Sequence, residues 1–116
     1  MDQVHSKFKV FIGDSGEDAV KQATEFVAKS NIHPVSVGVE YLEEKSKVIL
    51  TIGFSPIDHD KEKVSLSQVN LGELPLNPEV IGQKLEEQAA KLKNVICHEF
   101  YVNKVGEFFV VFMTQD

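Results

Sequence analysis

The 116-residue sequence predicts an α+β fold, built as a single domain over residues 1–116 from two consecutive β-α-β-β units. Three observations lead to this prediction. Several short segments alternate apolar and polar residues, which is the period of a half-buried strand. Two longer segments place apolar residues three and four apart, which is the period of an amphipathic helix. The order strand, helix, strand, strand occurs in residues 7–56 and again in residues 64–115.

The first half opens with a strand in which Phe8, Val10 and Ile12 alternate with their neighbours, before Gly13 and Gly16 interrupt the pattern. Asp14 or Ser15 can then cap a helix, because short oxygen-bearing side chains accept hydrogen bonds from the free N–H groups of a first helical turn. The apolar stripe of this helix comprises Ala19, Val20, Ala23, Phe26 and Val27. Two alternating segments, 35–41 and 48–54, follow with a short polar link and predict a hairpin.

The second half shows the same order of elements. Residues 64–71 predict a strand that is interrupted or bulged, since its alternation shifts by one residue at Gln68. Asn77, Pro78 and Glu79 predict a helix start: a capping residue, a proline at the first helical position, and an acid. Two further segments, 95–102 and 107–113, predict a second hairpin. Because apolar positions of the halves match at offsets of 59 and 60 residues, the sequence predicts a pseudo-two-fold internal repeat.

The expected architecture is a two-layer sandwich, with one mainly antiparallel six-stranded sheet and both helices on one of its faces. The last strand, however, is apolar on both sides. One side carries Phe108, Val110 and Phe112, and the other carries Phe109, Val111 and Met113. Helices on one face leave the other bare, and exposed apolar patches usually mark contacts. We therefore expect Phe109, Val111 and Met113 to form an interface with a second chain.

Charge narrows the class of partner. The chain has a net charge of −6, and all 12 of its basic residues are lysine. Binding a nucleic acid needs clustered cations, and arginine supplies the planar fork that grips a phosphate in two places. The sequence therefore predicts no nucleic-acid partner.

Cysteine content and apolar run lengths indicate the compartment. Cys97 is the single cysteine, so no internal disulfide can form, which fits a reducing compartment. The first seven residues lack the apolar run of a signal peptide. The longest uninterrupted apolar run, residues 108–113, is far too short to span a bilayer. These features favour a cytoplasmic protein without a membrane partner.

No motif names a reaction, a metal or a cofactor. Gly13-Asp14-Ser15 resembles the block of hydrolases that use an early nucleophilic serine, but the Asp-x-x-His that supplies their base is missing. Asp58-His59-Asp60 offers metal-ligating side chains, yet no further ligands occur at a recognisable spacing, so a solvated connector is the favoured interpretation. The sequence thus predicts no catalytic residue, no metal site and no cofactor.

Cys97 and His98 are adjacent, but neighbours in a strand point to opposite faces and cannot form a nucleophile–base pair. We expect Cys97 in the core and His98 as a half-buried structural residue near Phe109 or Val111. Glu40 and Glu99 are acids within strands. They either blunt a sheet edge against aggregation, which is favoured, or bind a ligand.

The sequence favours a non-catalytic binding or regulatory domain that acts through protein–protein contact as a homodimer. A small-molecule-binding domain with a groove between the two repeats is the alternative. The side chains expected to line that groove are Ser36, Gly38, Glu40, Thr51 and His98. A small enzyme that uses His98 or Glu40 as a base is a third hypothesis.

Overall fold

The computed structural model describes residues 7–30, 32–55 and 63–115. In chain order, the elements are β1 (Lys7–Gly13), α1 (Gly16–Lys29), β2 (His33–Leu42), a 3-10 turn (Glu43–Lys45), β3 (Lys47–Ser55), β4 (Val64–Glu73), α2 (Pro78–Ala89), β5 (Val95–Val102) and β6 (Glu107–Gln115). The predicted α+β class is confirmed. No helix in the described part of the chain is long and apolar enough to cross a membrane.

The described strands form two antiparallel three-stranded sheets instead of the single six-stranded sheet that we expected. The first sheet has the order β1–β3–β2, and the second has the order β4–β6–β5. Strands β2 and β5 lie close together but do not pair. The Cys97 side chain of β5 lies against the β2 backbone, where the N–H of Val37 donates to the thiol. This contact joins the two sheets without a ladder of backbone hydrogen bonds between the described strands.

Helix α1 lies between the two sheets. It packs on β1 and β3 of the first sheet and on β4 of the second. The small residues Ala19 and Ala23 are fully buried and let the helix approach both sheets closely. The core cluster comprises Phe11, Ala19, Val20, Ala23, Val37, Val48, Leu50, Ile52, Val64, Leu66, Tyr101, Val111 and Met113. One core therefore draws on both halves of the chain, and the expected layer of two helices on one face of one sheet does not form.

Local signals placed the helices correctly. Ser15 caps α1, and its hydroxyl oxygen accepts a hydrogen bond of 3.1 Å from the Asp18 N–H. Asn77 caps α2 and accepts one of 2.9 Å from the Glu79 N–H. These are the capping roles that the sequence predicted.

The two halves have the same sheet order, and the corresponding strands β2 and β5 both contain a register shift. A superposable internal repeat stays a prediction. The register shifts near Val35 in β2 and near Ile96 in β5. The bulge predicted at Gln68 is present in β4, but it lies between Asn70 and Gly72. Gly72 takes a left-handed conformation there, with φ of 77°, which glycine adopts without steric cost.

Candidate functional site

The most exposed row of apolar side chains on any described strand lies on the first sheet, on the side that faces away from α1, and a less exposed group with Phe100 and Val102 lies on β5. Phe8, Val10 and Ile12 of β1 are 69%, 52% and 57% exposed. On the neighbouring strand β3 they pair with Gly53, Thr51 and Ile49, in that order. These three residues pair in turn with Ser36, Gly38 and Glu40 of β2, which gives three rows of three residues across the sheet. We call this nine-residue surface the outer face. It contrasts with the inner side of β3, where Val48, Leu50 and Ile52 are buried.

An aromatic ring of the outer face lies over a glycine of the neighbouring strand. The Phe8 ring lies across Gly53, because a Cβ on that glycine would be 3.2 Å from Cε1 of the ring. The same Cβ would be 2.4 Å from Ser36 Oγ, so no larger residue fits between the two side chains. Glycine at position 53 therefore lets an aromatic ring lie flat on the sheet.

Four of the five predicted ligand-binding residues lie on the outer face. Gly38, Glu40 and Thr51 line a shallow depression of about 240 Å³ together with Glu99 of β5, and Ser36 lies one row away. His98 is not part of this group. It lies opposite Phe112 on the second sheet.

The predicted interface residues Phe109, Val111 and Met113 are not on an uncovered face, and that expectation is wrong. Val111 and Met113 are 0% exposed and belong to the core cluster, with Phe109 packed against it. The physical reason is the division of the strands into two sheets. The second sheet packs this side of β6 into the core cluster that contains residues of α1, which buries Val111 and Met113.

Side chains of α1 cover part of β1 outside the outer face. Gln22 Nε2 donates a hydrogen bond of 3.0 Å to the Ile12 carbonyl oxygen, which satisfies one backbone acceptor of this edge strand. The Lys9 ammonium lies 5.6 Å from the centre of the Phe26 ring, on the inner side of the sheet. A partner therefore has freer access to the outer face than to the strand edge.

The hairpin of β5 and β6 keeps one register from Val102 to Cys97, and the bulge at Ile96 lies beyond it. This register sets His98 opposite Phe112 and Glu99 opposite Val111, so the expected position of His98 near Phe109 or Val111 is corrected. His98 is also exposed instead of half-buried. Because Glu99 points to the other side of β5, it approaches the depression on the outer face.

Cys97 faces the core, as predicted. Its Sγ lies 3.8 Å from Met113 Sδ, and burial raises the pKa of the thiol. A raised pKa keeps the thiol protonated and unreactive near neutral pH. Among residues 7–30, 32–55 and 63–115, no three metal-ligating side chains come together, and Asp58-His59-Asp60 lies outside the described residues.

A second concave site lies between the two halves, near the start of α1. The Tyr101 hydroxyl of β5 donates a hydrogen bond of 3.1 Å to Gln68 Oε1 and accepts one from the Gly16 N–H. Its ring stacks on Phe109, with 5.0 Å between ring centres, and on Tyr41, with 6.4 Å. Sequence reasoning missed this cluster, because its members are separated by up to 93 positions and form no motif.

Burial raises the pKa of Tyr101 from 10.0 to about 12. Since the unfolded chain ionises this group first, its contribution to stability is complete below pH 10 and is lost as the pH rises towards 12. We expect absorbance titration of the folded protein to show one of the two tyrosines ionising near pH 12. The variant Tyr101→Phe should lack that late transition. A single transition near pH 10 in the wild-type protein would contradict the buried position of the hydroxyl.

Comparisons with protein-family models, with curated proteins and with solved structures found no match to this chain. Its function must therefore be inferred from its own side chains. The outer face offers apolar area with Glu40 at one end and Glu99 of β5 beside that end. The cleft at Tyr101 offers stacked rings with hydrogen-bonding groups.

Proposed function

We propose that the protein is a non-catalytic binding domain that acts through protein–protein contact and forms a homodimer through the outer face. One observation carries this proposal: Phe8, Val10 and Ile12 expose more than half of their surfaces side by side on one strand. Scattered apolar residues are normal on a protein surface, but a contiguous row over small neighbours is characteristic of a contact surface.

A second copy fits the outer face by symmetry. The face has an aromatic end at Phe8 and an acidic end at Glu40, with Val10 between them. A two-fold axis that lies in the interface along the middle row, Val10–Thr51–Gly38, sets the row that contains Phe8 in one copy over the row that contains Glu40 in the other. The carboxylates of Glu40 and Glu99 then stay at opposite ends of the interface, so the two copies do not repel each other there.

The size of the face predicts a weak dimer. Neighbouring strands lie about 4.8 Å apart and each residue advances about 3.3 Å, so three strands of five residues span roughly 10 by 13 Å between their outermost Cα atoms. Contacts of this size bury less than about 1,200 Å² in total and are usually transient. We therefore expect a dissociation constant in the micromolar range or weaker, with both species present at accessible concentrations.

The test is the mass in solution over a range of concentrations. Light scattering from about 10 μM to about 1 mM brackets the dissociation constant expected for an interface of this class. The weight-average mass of the wild-type protein should rise from 13.0 kDa towards twice that value. Val10→Lys should stay monomeric, because it sets two ammonium groups against each other at the symmetry axis.

Val105→Lys is the matched control. Val105 is 58% exposed on the turn between β5 and β6, so the same substitution adds the same charge away from the outer face. This variant should associate like the wild-type protein. A wild-type protein that stays monomeric throughout, or equal loss of dimer in both variants, would rule out the proposed interface.

Small-molecule binding is the second candidate function, and the depression beside Glu40 favours it. Gly38, Thr51 and Glu99 complete a polar surface that could hold a small ligand. Because the depression opens on the outer face, a ligand there would compete with the dimer. A metabolite that raises the melting temperature and lowers the mass at the same concentration would favour this function over the homodimer.

A further inference from the structure

The cleft between the halves is separate from the outer face and has its own chemistry. It encloses about 280 Å³ and is bordered by the start of α1, the end of β2 and the turn between β5 and β6. The side chains that decide its character are Tyr41, Gln68, Tyr101 and Phe109. Because ligand pockets for drug-sized molecules have volumes of about 300–1,000 Å³, this cleft suits a smaller molecule.

Three nearly parallel rings border the cleft. The planes of Tyr41 and Tyr101 differ by 15°, and those of Tyr101 and Phe109 differ by 10°. Aromatic side chains that share one orientation offer flat contact to a planar molecule, and offset stacking is favourable beyond the area that it buries. The shape of the cleft therefore selects flat ligands.

The polar groups of the cleft are fixed in position. The Tyr101 hydroxyl is held by Gln68 and by the backbone of Gly16, and this bond orients the Gln68 amide. The oxygen of that amide accepts from Tyr101, while its nitrogen donates to no other described residue. Gln68 can therefore donate a hydrogen bond to an acceptor on a ligand.

The charges around the cleft nearly cancel. Asp14 is paired with Lys47, and the opening carries Glu17 and Lys104, one charge of each sign. An anion would meet the Glu17 carboxylate, and a cation would meet the Lys104 ammonium. Neither sign of charge is favoured, so the cleft suits an uncharged molecule.

We propose that the cleft binds a small, uncharged, planar ring compound that carries a hydrogen-bond acceptor, with the ring against the aromatic side chains and the acceptor on Gln68. This site is independent of the homodimer. It differs from the predicted groove, because none of the residues expected to line that groove belongs to it.

Benzamide is the probe, and benzoate and benzamidine are its anionic and cationic counterparts of nearly equal shape. Amide chemical shifts are recorded while each probe is added. A ligand of nine non-hydrogen atoms with the binding efficiency usual for small ligands has a dissociation constant of about 0.5–10 mM. Benzamide should move the signals of Gln68, Tyr101 and Phe109 with saturation. The charged probes should bind at least about threefold more weakly, since each meets one like charge at the opening and protonated benzamidine also offers Gln68 no acceptor.

Val105→Trp should abolish saturation by benzamide, because Val105 borders the cleft and a larger side chain at this exposed turn blocks the opening without touching the core. Leu76→Trp, at an exposed position outside the cleft, should leave the affinity unchanged. The proposal is overturned if benzamide moves none of these signals up to about 20 mM. It is also overturned if the blocked variant binds as well as the wild-type protein, or if a charged probe binds as tightly.

Discussion

Val111→Lys is expected to unfold the domain and not merely to dissociate a dimer. Val111 is fully buried on the central strand of the second sheet, within the core cluster that includes α1. An ammonium group at this position loses its hydration without gaining a partner, which costs several kcal/mol. Since a domain of this size is stable by about 5–15 kcal/mol, most of the free energy of unfolding should be lost.

Denaturation by urea, followed by circular dichroism, measures this loss. Val10→Lys is the comparison, because Val10 lies on the outer face and a lysine there keeps its hydration in the monomer. Its unfolding midpoint at low protein concentration should stay close to that of the wild-type protein. If Val111→Lys kept the wild-type midpoint while lowering the solution mass, Val111 would lie at an interface and not in the core.

Gly16→Ala is the second substitution with a large expected effect. A Cβ at this position would lie 1.9 Å from the Tyr101 hydroxyl oxygen and 2.0 Å from Gln68 Oε1. Both atoms are held by their mutual hydrogen bond, so a Cβ fits only if that bond breaks or the start of α1 moves away from the second sheet. Inserting a carbon into such a packed site costs about 1–3 kcal/mol. We expect a loss in that range, measured as a lower midpoint of urea denaturation.

Gly82→Ala makes the same chemical change on the other helix, but it should raise the free energy of unfolding instead of lowering it. A Cβ at Gly82 meets nothing within 4 Å, and alanine is favoured over glycine in a helix interior by about 0.5–1 kcal/mol. Comparing the two substitutions separates the effect of close packing on stability from the effect of helix propensity. If Gly16→Ala were also stabilising, the contact between Tyr101 and the start of α1 would not exist.

The periodicity of the sequence was sufficient to predict the secondary structure. Alternation located the strands, and helical spacing with Ser15 and Asn77 located the helices, because these signals depend on neighbours along the chain. The bulge in β4 was predicted for the same reason. Its position differed by a few residues, since the shift in pattern at Gln68 does not show which residue leaves the ladder.

Alternation does not show what covers each face of a strand, and this limited the prediction of the site. The same apolar pattern at Val111 and Met113 is expected for an interface and for a core. Only the packing of the second sheet over α1 shows that these two residues belong to the core. On β1, alternation did not show that the buried side chain is Phe11 and that Val10 is exposed. The cleft at Tyr101 depends on contacts between distant segments, which no local pattern encodes.

A dilution series followed by methyl NMR tests whether the outer face of the first sheet is the proposed dimer interface. The methyl signals of Val10 and Ile12 should shift with protein concentration along one common binding curve. Those of Val111 and Met113, which are buried in each copy, should not move. Shifts confined to Val111 and Met113, or no concentration dependence at Val10 and Ile12, would contradict the account.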